Sequence, residues 1–176
     1  MRSFILFAAL AAAALPGAVQ AADASCLTAR EFAAVSVYAM PSVLSGAAQG
    51  CVSALPADAY LRRDGGQLAG RYAANRSAAW PAAKVALLKV VAGGDASRAS
   101  MVRALPDESL RPLVDTLISQ QVEQQVPAAR CPTISRALQL IAPLPADNAA
   151  ELVSLILGLA ANTSARKLGP LTLCPA

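Results

Sequence analysis

Tyr72, Arg76 and Trp80 stand four residues apart, a spacing that stacks them on one face of a continuous helix as an aromatic-cation-aromatic ladder. With Arg71 and Asn75 beside it, such a ladder suits stacking on a sugar or holding an anion, so Arg71, Tyr72, Arg76 and Trp80 are the candidate contact residues. The same residues also suit a core: only 4% of the chain is aromatic, and tryptophan and tyrosine in such a chain tend to pack inside.

Other chemistries are restricted by what the chain lacks. It contains no histidine, which removes Ser-His-Asp and Cys-His nucleophile pairs, histidine metal sites and imidazole acid-base work near neutral pH. The eleven acidic residues are dispersed, and Asp107-Glu108 sits at a helix start, where negative charge is stabilising in its own right. Neither a P-loop, a G-x-G-x-x-G nor a G-x-S-x-G occurs, so no cofactor and no metal are expected. The catalytic alternative is a histidine-free enzyme working with carboxylates or arginines alone, most naturally a hydrolase using carboxylates. Binding without catalysis is the leading expectation.

Residues 1–21 read as a cleaved secretory signal: Arg2, an uncharged apolar run over 4–15, Pro16-Gly17, and the small-residue end Val19-Gln20-Ala21. The apolar run is about a dozen residues, short of the roughly 20 that a membrane span needs. Residues 22–176 then fit one domain, placed in the periplasm or secreted. In that setting Cys26, Cys51, Cys131 and Cys174 are expected to form two disulfides. Of the three pairings, Cys26 with Cys51 and Cys131 with Cys174 close the shorter loops and are preferred.

The net charge of +4 is scattered, and the adjacent basic pairs Arg62-Arg63 and Arg166-Lys167 read as solvated helix ends. No nucleic-acid partner is expected, because neither a basic patch nor a recognisable module appears. A mean hydropathy of +0.47 reflects alanine and the leader, and no later apolar run is long enough to span a membrane. The partner left open is an envelope protein or a small ligand.

The elements that must position these residues are helical throughout. Thr28-Ala29-Arg30-Glu31 matches a capping box, predicting a helix to about Ala39 that Pro41 ends, and a second helix through Leu44, Cys51 and Leu55. Cys26 and Cys51 would then meet across a hairpin. Short helices follow Leu55-Pro56 and Gly65-Gly66, a stronger one covers 82–92 up to Gly93-Gly94, and Asp95 or Ser97 caps another. Leu110, Leu113, Val114, Leu117 and Ile118 form an apolar stripe, predicting a central helix from about Leu110 in which Leu117→Asp costs several kcal/mol. Gln120, Gln121, Glu123, Gln124 and Gln125 give its end a polar face, before Pro127, that either grips a partner or is solvated. A helix from Cys131 carries Ile134, Leu138 and Ile141, and a last one over 147–161 is apolar almost all round and expected to be buried. The tail from Lys167 is non-helical.

The sum is an all-α, disulfide-stapled domain of about seven to eight short helices, exported and acting as a non-catalytic binding module. A structural or stress-protective envelope protein is the alternative outside catalysis. The exported chain, unreduced, is expected to weigh four hydrogens less than its reduced form; four alkylatable thiols without reductant would overturn the disulfide framework.

Overall fold

Thr28 turns an extended entry into a helix. Its hydroxyl accepts from the backbone N–H of Glu31 (3.3 Å), and the Glu31 carboxylate accepts from the backbone N–H of Thr28 (2.9 Å), closing the expected capping box. The computed structural model describes residues 26–93 and 95–145, with residues 148, 149, 151, 152, 155, 167, 168 and 171–174. The expected leader lies outside them, as does most of the expected helix over 147–161.

From this cap α1 runs over Ala29–Gly50, continuing through Pro41 where a break was expected. Proline in a helix interior costs about 3 kcal/mol, here by leaving the Val37 carbonyl without its usual donor. That cost is offset because α1 is the hub: Pro41 itself is buried, and α2, α3 and α5 all pack against α1. The other helices are α2 (Tyr60–Ala73), α3 (Arg76–Ala92), α4 (Ala96–Arg103), α5 (Asp107–Gln125) and α6 (Cys131–Ile141), with a 3-10 turn at Ala128–Arg130. Residues 148, 149, 151, 152 and 155 are helical as well. Six helices have described bounds, and Pro41 and Gly65-Gly66, both expected as breaks, lie inside continuous ones. None of them is long and apolar enough to cross a membrane.

The continuity of α1 overturns the preferred cysteine pairing. At 1.5 Å per residue its 22 residues span about 33 Å, so Cys26 and Cys51 lie at opposite ends of a rod. The bonds are instead Cys26–Cys174 and Cys51–Cys131, with Cα separations of 5.0 and 5.5 Å. Loops of this length would stabilise by about 5 kcal/mol each if the bond acted only on the entropy of the unfolded chain. The tail is non-helical, as expected: Lys167–Leu168 (β1) and Leu171–Thr172 (β2) form a small antiparallel hairpin, and Leu173 bridges in parallel to Leu27.

Three apolar clusters are threaded by α1. Phe32, Val35 and Tyr38 join Leu27, Trp80, Ala83, Ala86 and Leu110; Leu44 joins Leu68, Ala69, Tyr72 and Ala149; Ala47 joins Cys51, Leu55, Leu61 and Cys131. Helix α5 approaches α1 at Gly46 and Gly50. A Cβ on Gly46 would stand 2.3 Å from the Ser119 carbonyl oxygen, and one on Gly50 would stand 2.8 Å from that of Glu123. Backbone meets backbone there, which only glycine allows.

This contact also rotates α5 away from its expected orientation. Leu110 is buried and Val114 and Val122 pack inward, but Leu113 and Leu117 are 49% and 56% exposed. The central helix is therefore α1, and Leu117→Asp belongs with surface changes worth about 0.5 kcal/mol or less. The last helix departs similarly from all-round burial: Ala149 is buried, whereas Leu152 and Leu155 are exposed. Elsewhere local chemistry governs as read. Asp95 caps α4 by accepting from the backbone N–H groups of Ser97 (2.8 Å) and Arg98 (3.3 Å), and Gly93 ends α3 with φ of 53°.

Gly46→Leu is expected to force α1 and α5 apart and destabilise by about 1–3 kcal/mol or more, read as a fall in the urea midpoint. Gly66→Ala, at an α2 position with nothing within 4 Å of the added Cβ, is expected to gain about 0.5–1 kcal/mol. Equal responses at the two glycines would refute the close-approach account.

Candidate functional site

Each of three helices contributes polar and aromatic side chains at four-residue spacing to one junction. Tyr38 and Ser42 come from α1, Arg76, Trp80 and Lys84 from α3, and Asp107, Arg111 and Asp115 from α5. Helices α3 and α5 lie against α1 rather than against each other, and their long side chains meet over Tyr38 in antiparallel order. Arg76 pairs with Asp115 at one end, and Lys84 Nζ pairs with Asp107 Oδ1 (2.6 Å) at the other. Between them the Tyr38 and Trp80 ring centroids are 4.7 Å apart, tilted by 44°. The Arg76 guanidinium lies 4.6 Å from the Tyr38 centroid and that of Arg111 5.0 Å from the Trp80 centroid, so two cations flank two rings.

The hydrogen bonds tie the stack down. Trp80 Nε1 donates to Asp107 Oδ2 (2.7 Å), Ser42 Oγ donates to Asp115 Oδ1 (3.2 Å), and Tyr38 Oη donates to the Arg111 carbonyl (3.5 Å). Both carboxylates are therefore occupied. Donation from Lys84 and Trp80 holds the Asp107 carboxyl below its ordinary pKa, the opposite of what a general acid requires. Burial, followed by the Asp115 charge, raises the Tyr38 hydroxyl. Burial is the largest single influence on Arg76 and opposes its charge, but the hydrogen bonds and charges of Asp115 and Tyr38 together outweigh it and raise its pKa. The arrangement is a lock between helices whose carboxylates are spent on cations, with Arg111 contributing a charge that has no carboxylate within ion-pair distance among the described residues.

The expected ladder does not assemble. Helix α2 ends at Ala73 and α3 begins at Arg76, so Tyr72 and Trp80 fall on different helices. Tyr72, 3% exposed, enters the Leu44 cluster and donates from its hydroxyl to the Ile141 carbonyl (3.4 Å). Trp80, 1% exposed, enters the Leu27 cluster and stacks with Tyr38 instead. Arg76 stays at the junction, and Arg71 is exposed on α2. No local motif marks Asp107, Arg111 and Asp115 as a set. The signal available was their i, i+4, i+8 charge spacing, which matches that of Arg76 and Lys84 around Trp80.

Comparison with known proteins adds no family: no family model matches the chain, and no match is found among curated proteins or solved structures.

The junction sets a pH dependence. The Asp107 carboxyl is lowered in the folded state, and so is that of Glu31, where bonds from Lys89 and Thr28 outweigh burial. Their contribution is complete above the unfolded carboxylate values near 4 and is lost as pH falls through the lower folded values. With no histidine, no side chain of ordinary pKa titrates between pH 5.5 and 7.5, so the urea midpoint should be level there and drop in acid. Asp107→Asn should lower stability at pH 7 and flatten the acid drop; an acid limb parallel to that of the unaltered protein would refute the assignment.

Proposed function

We propose that this chain is an exported, disulfide-stapled helical module that acts by binding a protein partner through the outer face of α5. The observation that carries this reading is the exposure of Leu113 and Leu117, one turn apart on a helix whose other side packs against α1 through Leu110, Val114 and the Gly46 and Gly50 contacts. Exposed Gln120, Gln121 and Gln124 continue the same face. Two leucines followed by uncharged hydrogen-bonding side chains suit a helix or groove of a partner, which needs apolar anchors and a polar border. The hydrolase alternative draws less support, because Asp107 and Asp115 are each committed to a cation.

Two disulfides support the export reading, since such bonds persist in oxidising compartments outside the cytosol. Cleavage after Ala21 completes it, and a secreted chain beginning at Ala22 is the mass to look for.

A photo-crosslinking residue placed at position 117 in the native host is expected to give one discrete adduct, and the same residue at position 63 on α2 none. The same residue at position 121 should give an adduct that Leu113→Glu with Leu117→Glu abolishes, while the unfolding free energy stays within about 0.5 kcal/mol. Adducts of equal yield at positions 63 and 117, or an adduct unaffected by the double substitution, would sink the reading.

A further inference from the structure

The two disulfides occupy unlike surroundings. Cys51 and Cys131 are wholly buried, joining the end of α1 to the first residue of α6 among Leu55, Leu61, Ile134 and Leu138. Cys26 and Cys174 are partly exposed, and the residues that follow Cys26 after Leu27, namely Thr28, Ala29 and Arg30, are exposed. Thiol-disulfide exchange needs a thiolate to reach a sulfur, so access separates the two bonds.

The outer bond fastens residues 172–174 beside the start of the chain. The tail meets the start of the chain through two backbone hydrogen bonds, Leu27 N–H to the Thr172 carbonyl (2.7 Å) and Cys174 N–H to the Leu27 carbonyl (2.9 Å). Leu173, partly buried, packs against the cluster that contains Leu27 and Trp80. These contacts lie directly beside the covalent bond. The disulfide holds the tail at high effective concentration beside Leu27.

We propose that Cys26–Cys174 is a reducible strap: its opening by a dithiol reductant frees the tail and bares the Leu27 edge of the core, while the inner disulfide keeps the helices assembled. A thiolate of the dithiol attacks one sulfur of the pair, forms a mixed disulfide and expels the other cysteine as a thiolate. The second thiol of the reductant then resolves the mixed disulfide. Two electrons and two protons end on Cys26 and Cys174, and the reductant leaves as its own disulfide. The structural division supports this order, because the second and third clusters and the Cys51–Cys131 bond lie away from the tail contacts. The strap is independent of the α5 face, and neither reading needs the other.

The test uses the oxidised full mature chain titrated with dithiothreitol, quenched with iodoacetamide, and mapped by peptide mass. A doubly alkylated intermediate labelled at Cys26 and Cys174 is expected to accumulate with its helical circular dichroism retained. Hydrogen exchange at the Leu27 and Cys174 amides should rise at least tenfold in it. Simultaneous appearance of four labelled cysteines, labels first at Cys51 and Cys131, or unchanged exchange at those two amides would each overturn the proposal. The Cys26→Ser, Cys174→Ser double variant fixes the open form, which is expected to keep the inner disulfide and its helices; loss of the helices in that variant would equally overturn it.

Discussion

Pro41 sits near the middle of a helix that every neighbour leans on, and the architecture follows from α1 passing through it. The lost backbone bond is a fixed local cost of about 3 kcal/mol. Burial of one flank of α1 after another, in three successive clusters, exceeds it. Once α1 is a single rod, its ends are about 33 Å apart, and the cysteines beside them must find partners from elsewhere in the chain. The disulfide connectivity is thus a consequence of helix length.

The contact between α1 and α5 works by a different economy. Gly46 and Gly50 contribute almost no apolar area of their own, but their missing side chains let the two backbones touch. That closeness fixes the rotation of α5, turning Leu110, Val114 and Val122 inward and Leu113 and Leu117 outward. A chain with few aromatics packs here by shrinking the distance between helices rather than by filling it.

Local chemistry was readable residue by residue: the Thr28-Glu31 box, the Asp95 cap and the left-handed Gly93 each depend on neighbours within a few positions. The helical class and the non-helical tail were readable for the same reason, from periodicity. What escaped depended on distance. The stripe Leu110-Leu113-Val114-Leu117-Ile118 is wide enough to face a core in more than one rotation, and only the glycine contact with α1 selects among them. The Arg76-Trp80-Tyr72 ladder failed at Ala74, where two helices meet instead of one continuing. Trp80 has its aromatic neighbour in Tyr38, on a helix outside the segment 71–80. Long-range pairing, such as Ser135 accepting from the Leu61 N–H (3.1 Å) where α2 lacks a cap of its own, leaves no trace in local spacing.

The bond between Cys26 and Cys174 makes the chain between them a closed ring, and the bond between Cys51 and Cys131 draws a chord across it. A single peptide-bond cut anywhere between residues 26 and 174 therefore releases no fragment while both bonds last. Where a cut falls decides what a second one can liberate: two cuts between Cys51 and Cys131 free the stretch between them, whereas one cut on each side of the chord leaves everything tethered. For a molecule in a protease-rich surrounding, covalent topology of this kind preserves mass and connectivity after a nick, whatever the folding free energy has become.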